Sequence, residues 1–159
     1  MDSSRFSNTI VSMLDRNSLG PQLAQADTPL HSLRMSYRPS SPLAVARLIT
    51  IIRGIRPDVL QTWMYHADFL GTMVGKLLHV PTIVWNIRCS FMDMTRYRWM
   101  SALARRGVVV LSPFADAIVV NSQAGLSFHK ALGYRPRGLV ADPELCRSGQ
   151  IPAKFGGQT

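Results

Sequence analysis

Apolar and polar positions repeat along this chain with two different periods, and their order predicts its secondary structure. Ser41-Pro42 is typical of a helix start, with an N-cap followed by proline at the first helical position. The apolar residues that follow it at helical spacing are Val45, Leu48, Ile49, Ile52 and Ile55. The short apolar run Val59-Leu60 lies behind Pro57-Asp58 and is typical of a strand. The pattern therefore predicts a helix and then a strand.

The alternation continues beyond this strand and predicts a βαβ unit. The apolar residues at helical spacing within 67–78 are Leu70, Val74 and Leu77. Gly71 and Gly75 lie one turn apart on that helix, which indicates that the helix packs closely against a sheet. Residues 82–85 are β-branched and aromatic, as residues of buried strands are. The unit is thus a strand, a helix and a second strand.

Weaker patterns predict further elements on both sides of this unit. The further strands are residues 6–14, 30–35 and 117–120, and the further helices are residues 21–26, 96–111 and 124–132. Residues 108–111 alone also fit a strand, so two interpretations of that segment stay open. Strands that alternate with helices at this spacing predict an α/β fold with a parallel sheet covered on both faces.

The last part of the chain has a different character from the rest. Residues 138–159 are rich in glycine and show neither the helical nor the strand period, which predicts a disordered tail. We expect the ordered part to end near Tyr134. The sequence therefore divides into a domain at residues 1–137 and a tail at residues 138–159.

Composition narrows the class of protein without naming a function. A chain of 159 residues supports one domain with a real core. No apolar run approaches the roughly 20 residues that a membrane-spanning helix needs, and residues 1–5 lack the order of a signal peptide. Cys89 and Cys146 form neither a metal-type pair nor a disulfide framework. We therefore expect a reduced, cytoplasmic protein without a metal or a cofactor.

The net charge of +9 implies a surface that attracts anions. The sequence has no helix-turn-helix, zinc module or aromatic RNA-binding strand, so nucleic acid is not an expected partner. Anionic lipid headgroups and phosphorylated ligands remain as candidate partners. The charge is also arginine-dominated and scattered, and GC-rich coding sequence alone produces that pattern.

Four segments, in this order, resemble the N-terminal domain of GT-B glycosyltransferases, in particular glycosyltransferase family 4, once called group 1. They are Arg56-Pro57-Asp58-Val59-Leu60-Gln61-Thr62-Trp63, His66-Ala67-Asp68 with Leu70-Gly71, Leu78-His79-Val80-Pro81, and Ala115-Asp116-Ala117-Ile118-Val119-Val120-Asn121-Ser122. The resemblance covers residues 6–134 and rests on the order and intervals of the segments. It implies a Rossmann-like parallel sheet flanked by helices, half of a GT-B fold, that binds a sugar acceptor. Many enzymes of this type act on lipid-linked acceptors.

Parts of the family pattern are missing from this chain. Neither the glycine-rich loop after the first strand nor the domain that binds the nucleotide-sugar donor is present. If residues 6–14 form strand 2 and residues 59–62 form strand 4 of the order 3-2-1-4-5-6, the central strand is missing and two edges stay unpaired. The resemblance thus implies a gene fragment. Such a fragment is inactive alone and takes a nucleotide-sugar only when a donor domain is supplied.

The candidate acceptor-binding residues follow the two strands of the βαβ unit, where ligands of such units gather. Trp63 either stacks on a sugar face or covers the core. His66 opens a helix, where its imidazole either hydrogen-bonds an acceptor hydroxyl or is an ordinary helix-capping or partly exposed histidine. Arg88 either holds a phosphate or is solvated, and Ser90 lies in the same loop. No residue is assigned a catalytic role.

An alternative hypothesis is a basic α/β module that catalyses nothing and binds an anionic membrane surface or a protein partner. Its basis is the predicted helix at 96–111, on which basic residues flank aromatic ones. These residues are Arg96, Tyr97, Arg98, Trp99, Arg105 and Arg106. Such a helix can lie on an anionic bilayer, which would place the protein peripherally at the inner membrane face. A solvated helix above an ordinary core stripe gives the same pattern.

Overall fold

The computed structural model describes residues 6–13, 28–35, 42–87 and 106–141. These residues belong to two compact units, Met1–Arg56 and Pro57–Thr159. In the described part of both units the paired strands are parallel, and helices flank them. The protein is therefore an α/β protein with parallel, Rossmann-like sheets, which confirms the fold class that the sequence predicted.

The first unit contains a short parallel strand pair and a long helix. Strand β1 (Ile10–Ser12) pairs with strand β2 (Leu30–Ser32), with Ile10 opposite Leu30. Helix α1 (Pro42–Ile55) begins at the predicted proline. Its buried residues are Ala44, Leu48 and Ile52. The predicted helix at 21–26 lies outside the described residues.

The second unit contains the βαβ unit and its continuation. Its elements are strand β3 (Val59–Trp63), helix α2 (Tyr65–Leu77), strand β4 (Thr82–Ile87), helix α3 with residues 106–111 as its described part, a 3-10 turn (Ser112–Phe114), strand β5 (Ala117–Val120), helix α4 (Gln123–Ala131) and strand β6 (Gly138–Ala141). The four strands form one sheet in the order β3-β4-β5-β6. Each strand is therefore the neighbour of the strand that follows it in the chain.

This strand order places helices α2, α3 and α4 over the same face of the sheet. Right-handed crossovers that all advance in one direction put their helices on one side. The core on that face consists of Ile83, Trp85, Ile87, Val108, Ala115, Ile118, Val120 and Tyr134. Helix residues such as Phe69 and Leu126 pack against it. Val84, Ala117 and Val119 form a smaller buried cluster, which strand alternation assigns to the opposite face.

The two glycines of helix α2 allow the close packing that their spacing predicted. A Cβ atom at Gly71 would lie 2.6 Å from Thr62 Cγ2 on β3. One at Gly75 would lie 2.9 Å from Ile83 Cδ1 on β4. Both distances are shorter than real Cβ contacts, so the helix could not lie this close to the sheet with larger residues at these positions. Close helix–sheet contact is therefore confirmed.

The prediction that order ends near Tyr134 is wrong. Residues Gly138–Ala141 form strand β6, which pairs in parallel with β5 along its whole length, starting with Gly138 opposite Ala117. A four-residue strand that begins with glycine and is followed by Asp142-Pro143 has too few positions to show a period. This segment is a strand because it pairs with β5, and the local sequence gives no indication of that pairing. The rest of the predicted tail, residues 142–159, lies outside the described residues.

The structure also decides between the two interpretations of residues 108–111. They belong to helix α3, and a 3-10 turn follows directly. Residues 96–105 of the predicted helix lie outside the described residues. Among the described strands, β1 pairs only with β2 and β3 only with β4. One edge of β1 and one edge of β3 thus have no strand partner in the described part of the chain.

Candidate functional site

The carboxyl end of strand β3 presents an exposed aromatic side chain. Trp63 is the last residue of β3 and is 49% exposed. Because Leu60 packs into the core on the helix-covered face, strand alternation directs Gln61 and Trp63 to the other face. Trp63 is in register with Asn86 of β4, so the two side chains are neighbours on that face. Trp63 is thus about half exposed, and both of its predicted roles, stacking on a sugar face and covering the core, stay predictions.

Asn86 carries an unusual amide group at this strand end. The residue is buried, and its side-chain nitrogen has no hydrogen-bond partner within the described part of the chain. A buried donor without a partner costs about 1–3 kcal/mol. A ligand oxygen that accepted a hydrogen bond from this nitrogen would therefore remove that cost, and ligand binding would be favoured by it. The strand predicted at residues 82–85 stopped just before Asn86, and the sequence gave no sign that its amide is buried.

The backbone between strand β3 and helix α2 is strained. Met64 has φ 79° and ψ 144°, a conformation that residues with a side chain rarely adopt. Such a residue costs of order 1–3 kcal/mol, and strained residues of this kind cluster at functional sites. The strain lies directly after Trp63 and two residues before His66. No glycine marks the position, so the sequence gave no signal for it.

His66 is exposed in the first turn of helix α2. Met64 occupies the N-cap position, and no side chain accepts a hydrogen bond there. The helix-capping alternative for His66 is therefore wrong, because the cap position belongs to another residue, whereas its other alternative, an exposed histidine, agrees with the structure. The imidazole faces solvent at the same strand end as Trp63. The predicted site residues Arg88 and Ser90 lie outside the described residues, and their roles stay predictions.

A buried carboxyl group lies between strand β3 and helix α2. The hydroxyl of Thr62 donates a 2.6 Å hydrogen bond to Asp68 Oδ1, while Asp68 Oδ2 has no partner within the described residues. Burial raises the pKa of Asp68 from 3.8 to about 7, and the hydrogen bond from Thr62 offsets part of that rise. Acid–base catalysis needs a pKa near neutrality. However, Asp68 is 0% exposed, so we assign it a structural role.

Helix α2 is joined to helix α4 by a second buried polar contact. The Tyr65 hydroxyl lies 2.9 Å from Nε2 of His129, and Nδ1 of His129 lies 2.7 Å from the Gly125 carbonyl oxygen. Because only a protonated Nδ1 can donate to that carbonyl, Nε2 accepts from the tyrosine in the neutral imidazole. Burial lowers the pKa of His129, which favours the neutral form. We therefore assign His129 a structural role.

The residues that directly follow strand β5 begin helix α4. Ser122 occupies the N-cap position of α4, and its hydroxyl accepts a 3.1 Å hydrogen bond from the Gly125 backbone N–H. Ser122 thus caps helix α4. At the other end of the sheet, where β4 and β5 begin, Asp116 accepts a 2.9 Å hydrogen bond from the Ile83 N–H. Its carboxylate also lies 3.8 Å from Lys76 Nζ and 3.5 Å from Arg137 Nη1.

The candidate site is therefore a small set of side chains at the carboxyl ends of β3 and β4: Trp63, His66 and Asn86. In the described residues there is no group of three side chains that could hold a metal ion. No helix of the described part is long and apolar enough to cross a bilayer. Comparison of the sequence with protein-family models finds no match, and comparison with curated proteins finds none either.

Proposed function

We propose that this chain binds a sugar acceptor at the carboxyl ends of strands β3 and β4, as the acceptor-side domain of a GT-B glycosyltransferase. The observation that carries the proposal is the exposed indole of Trp63 at a strand end of a parallel α/β sheet. Ligands of open α/β sheets bind at that edge. The motif resemblance, which covers residues 6–134, supplies the sugar-transferring class.

The chemistry of a sugar fits the three side chains at this strand end. The C–H face of a sugar is apolar and packs on a flat aromatic ring, which Trp63 offers. Its hydroxyl groups need a few placed hydrogen-bonding groups, which His66 and Asn86 can supply. The Asn86 nitrogen is buried, so we expect the Trp63 side chain to move when a ligand reaches it.

The proposal assigns binding, and no catalytic residue, to this chain. In the GT-B class, transfer depends on positioning and on electrostatic stabilisation of a charged transition state in a cleft between two domains. The residues given to the acceptor here form only one wall of such a cleft. Purified residues 1–159 are therefore expected to bind an acceptor and to show no turnover of a nucleotide-sugar.

Trp63→Ala should weaken binding of an acceptor mimic. We use octyl β-glucoside below its micelle concentration and measure affinity by isothermal titration calorimetry. Loss of one stacking contact of about 0.5–1.5 kcal/mol lowers the affinity by about two- to tenfold. The matched control is Phe114→Ala, which removes an aromatic side chain of similar exposure, 51%, from the turn before β5. Equal losses in both variants would rule out the site at Trp63.

A second candidate function is supported by the surface around helix α3. Arg106 is exposed there, Val110 is 70% exposed, and Phe114 is exposed in the turn that follows. Exposed apolar residues beside a basic one are typical of a surface that rests on an anionic bilayer. This is the non-catalytic alternative, in which the chain binds a membrane surface.

Arg106→Gln should weaken association with vesicles that contain phosphatidylserine. A basic residue near such a surface contributes about 1 kcal/mol, so the partition coefficient should fall about fivefold at low salt. The control is Lys130→Gln, which removes an exposed charge from helix α4. Co-sedimentation at low and high salt measures the effect. If the native chain does not sediment with vesicles at any salt concentration, the membrane function is excluded.

A further inference from the structure

The first unit contains an open cavity of about 620 Å³ beside strand β2 and helix α1. On the strand side it is lined by His31, Ser32 and Arg34, which lie in β2 or directly after it. On the helix side its lining includes Leu43, Arg47 and Ile51, which are spaced four residues apart and so share one helix face. Its volume is in the range of small-molecule sites, about 300–1,000 Å³.

The charge of this cavity is positive. Two guanidinium groups, those of Arg34 and Arg47, line it together with the imidazole of His31. Among the described residues that line the cavity there is no carboxylate. An anionic group that entered would therefore meet two cations and, among the described lining residues, would displace no ion pair.

The two arginines are held at the cavity by different contacts. Arg47 Nη1 donates a 3.3 Å hydrogen bond to the Leu33 carbonyl, which ties the side chain across to the strand side and, within the described residues, leaves its other N–H groups available. The Arg34 backbone is left-handed, with φ 50°, and its N–H donates a 3.2 Å hydrogen bond to Ser32 Oγ. Residues with a side chain seldom adopt this conformation, and the Arg34 side chain is exposed at the rim of the cavity.

The wall between the charged groups is apolar. Leu43 is 59% exposed at this surface, and Ile51 continues the same face of helix α1. A phosphate group alone would leave this wall in water. A ligand with an anionic head and an apolar or ring-shaped body would cover it and would gain free energy from burial.

We propose that this cavity binds a small soluble phosphate ester, with the phosphate between Arg34 and Arg47 and its ring or apolar body against Leu43 and Ile51. Guanidinium groups donate paired hydrogen bonds whose geometry matches phosphate oxygens. The site lies wholly in the first unit, and it does not rest on the sugar-acceptor function proposed for the second.

The test compares charge-removing variants on the full chain of residues 1–159. Phenyl phosphate is titrated into the native protein, Arg34→Gln and Arg47→Gln at constant ionic strength, with calorimetric detection. Each variant should weaken binding by about tenfold or more, because it removes a charge-assisted hydrogen bond to the phosphate. Inorganic phosphate should bind the native chain more weakly than phenyl phosphate, since it cannot cover the apolar wall.

The matched control is Arg53→Gln on the same helix. Arg53 is exposed in the last turn of α1 and does not line the cavity, so its loss should change the dissociation constant by less than about twofold. Arg47 also contacts Leu33, and its replacement can weaken the fold. Arg34→Gln avoids this difficulty. Its hydrogen bond to Ser32 is donated by the backbone N–H, which the substitution keeps. Absence of saturable binding to the native chain, or an equal loss in the Arg53 variant, would overturn the site.

A lipid headgroup offers the same phosphate chemistry, and a vesicle assay separates the two sources. Vesicles of phosphatidylcholine with and without phosphatidic acid are sedimented with the native chain and with Arg34→Gln. Phenyl phosphate binding that depends on Arg34, with vesicle association that does not, supports the soluble ligand. Vesicle association that depends on Arg34 in a chain that does not bind phenyl phosphate would contradict it.

Discussion

Replacing Asp68 with asparagine is expected to stabilise the fold by about 4 kcal/mol at pH 8 and to leave its stability near pH 3 almost unchanged. The carboxyl group is 0% exposed between strand β3 and helix α2, and burial raises its pKa from 3.8 to about 7. A shift of this size corresponds to about 4 kcal/mol, since one pKa unit is about 1.4 kcal/mol. Asparagine keeps the oxygen that accepts the Thr62 hydroxyl and never carries a charge.

The direction of the effect follows from proton binding. Below pH 3.8 the carboxyl is protonated in both the folded and the unfolded chain, and it imposes no penalty. Between pH 3.8 and about 7 the unfolded chain loses this proton while the folded chain keeps it, so the free energy of unfolding falls as the pH rises. Above pH 7 the penalty is complete. The asparagine variant lacks this slope.

Urea denaturation of both proteins at several pH values from 3 to 8 measures this effect. Burial lowers the pKa of His129, so that residue makes the fold less stable as the pH falls below 6.5 in both proteins. The difference between the two proteins removes its contribution and isolates Asp68. Parallel stability curves for the native and variant chains would mean that Asp68 is not buried as a neutral acid.

Replacing His129 with alanine is expected to destabilise the fold by about 3–5 kcal/mol. The ring is 0% exposed and lies among three aromatic rings: Tyr65, Phe128 and Tyr134. Its removal leaves a ring-sized cavity, and truncation of a buried aromatic ring typically costs this much. It also removes the partner of the Tyr65 hydroxyl and so breaks the polar contact between helices α2 and α4.

Two further variants separate packing from hydrogen bonding in this contact. Tyr65→Phe removes only the hydroxyl and should cost about 1 kcal/mol, the net contribution of one hydrogen bond. Lys130→Ala changes the exposed neighbour of His129 on the same helix and should cost less than about 0.5 kcal/mol. The midpoint and slope of urea unfolding give each value. A His129→Ala chain as stable as the lysine control would show that the histidine is not in the core.

The sequence predicted elements whose signal is local. Pro42 marks the start of helix α1 because proline suits the first turn of a helix, and the structure begins the helix there. Gly71 and Gly75 predicted close helix–sheet contact, because only a residue without a side chain permits it. In the structure, a Cβ atom at either position would clash with a side chain of the sheet. These signals depend on a few residues that are neighbours in the sequence, and they do not depend on contacts with distant parts of the chain.

Features that depend on distant residues were not predictable in the same way. Strand β6 was missed because its four residues pair with β5, and that pairing is set by the sheet edge rather than by the sequence of Gly138–Ala141. Asp68 was recognised as part of a motif, but its burial depends on the packing of helix α2 against Thr62. The strain at Met64 arises where strand β3 turns into that helix, and the residue type gives no indication of it.

Binding of a sugar acceptor beside Trp63 is tested most directly by the indole N–H signals of the ¹⁵N-labelled chain. Octyl β-glucoside is added below its micelle concentration while the tryptophan indole and asparagine side-chain signals are followed. We predict that the signals of Trp63 and Asn86 shift in a saturable way. Trp85, whose indole nitrogen donates a 2.8 Å hydrogen bond to Thr72 in the core, should stay in place. An unmoved Trp63 signal at saturating glucoside would contradict the acceptor site.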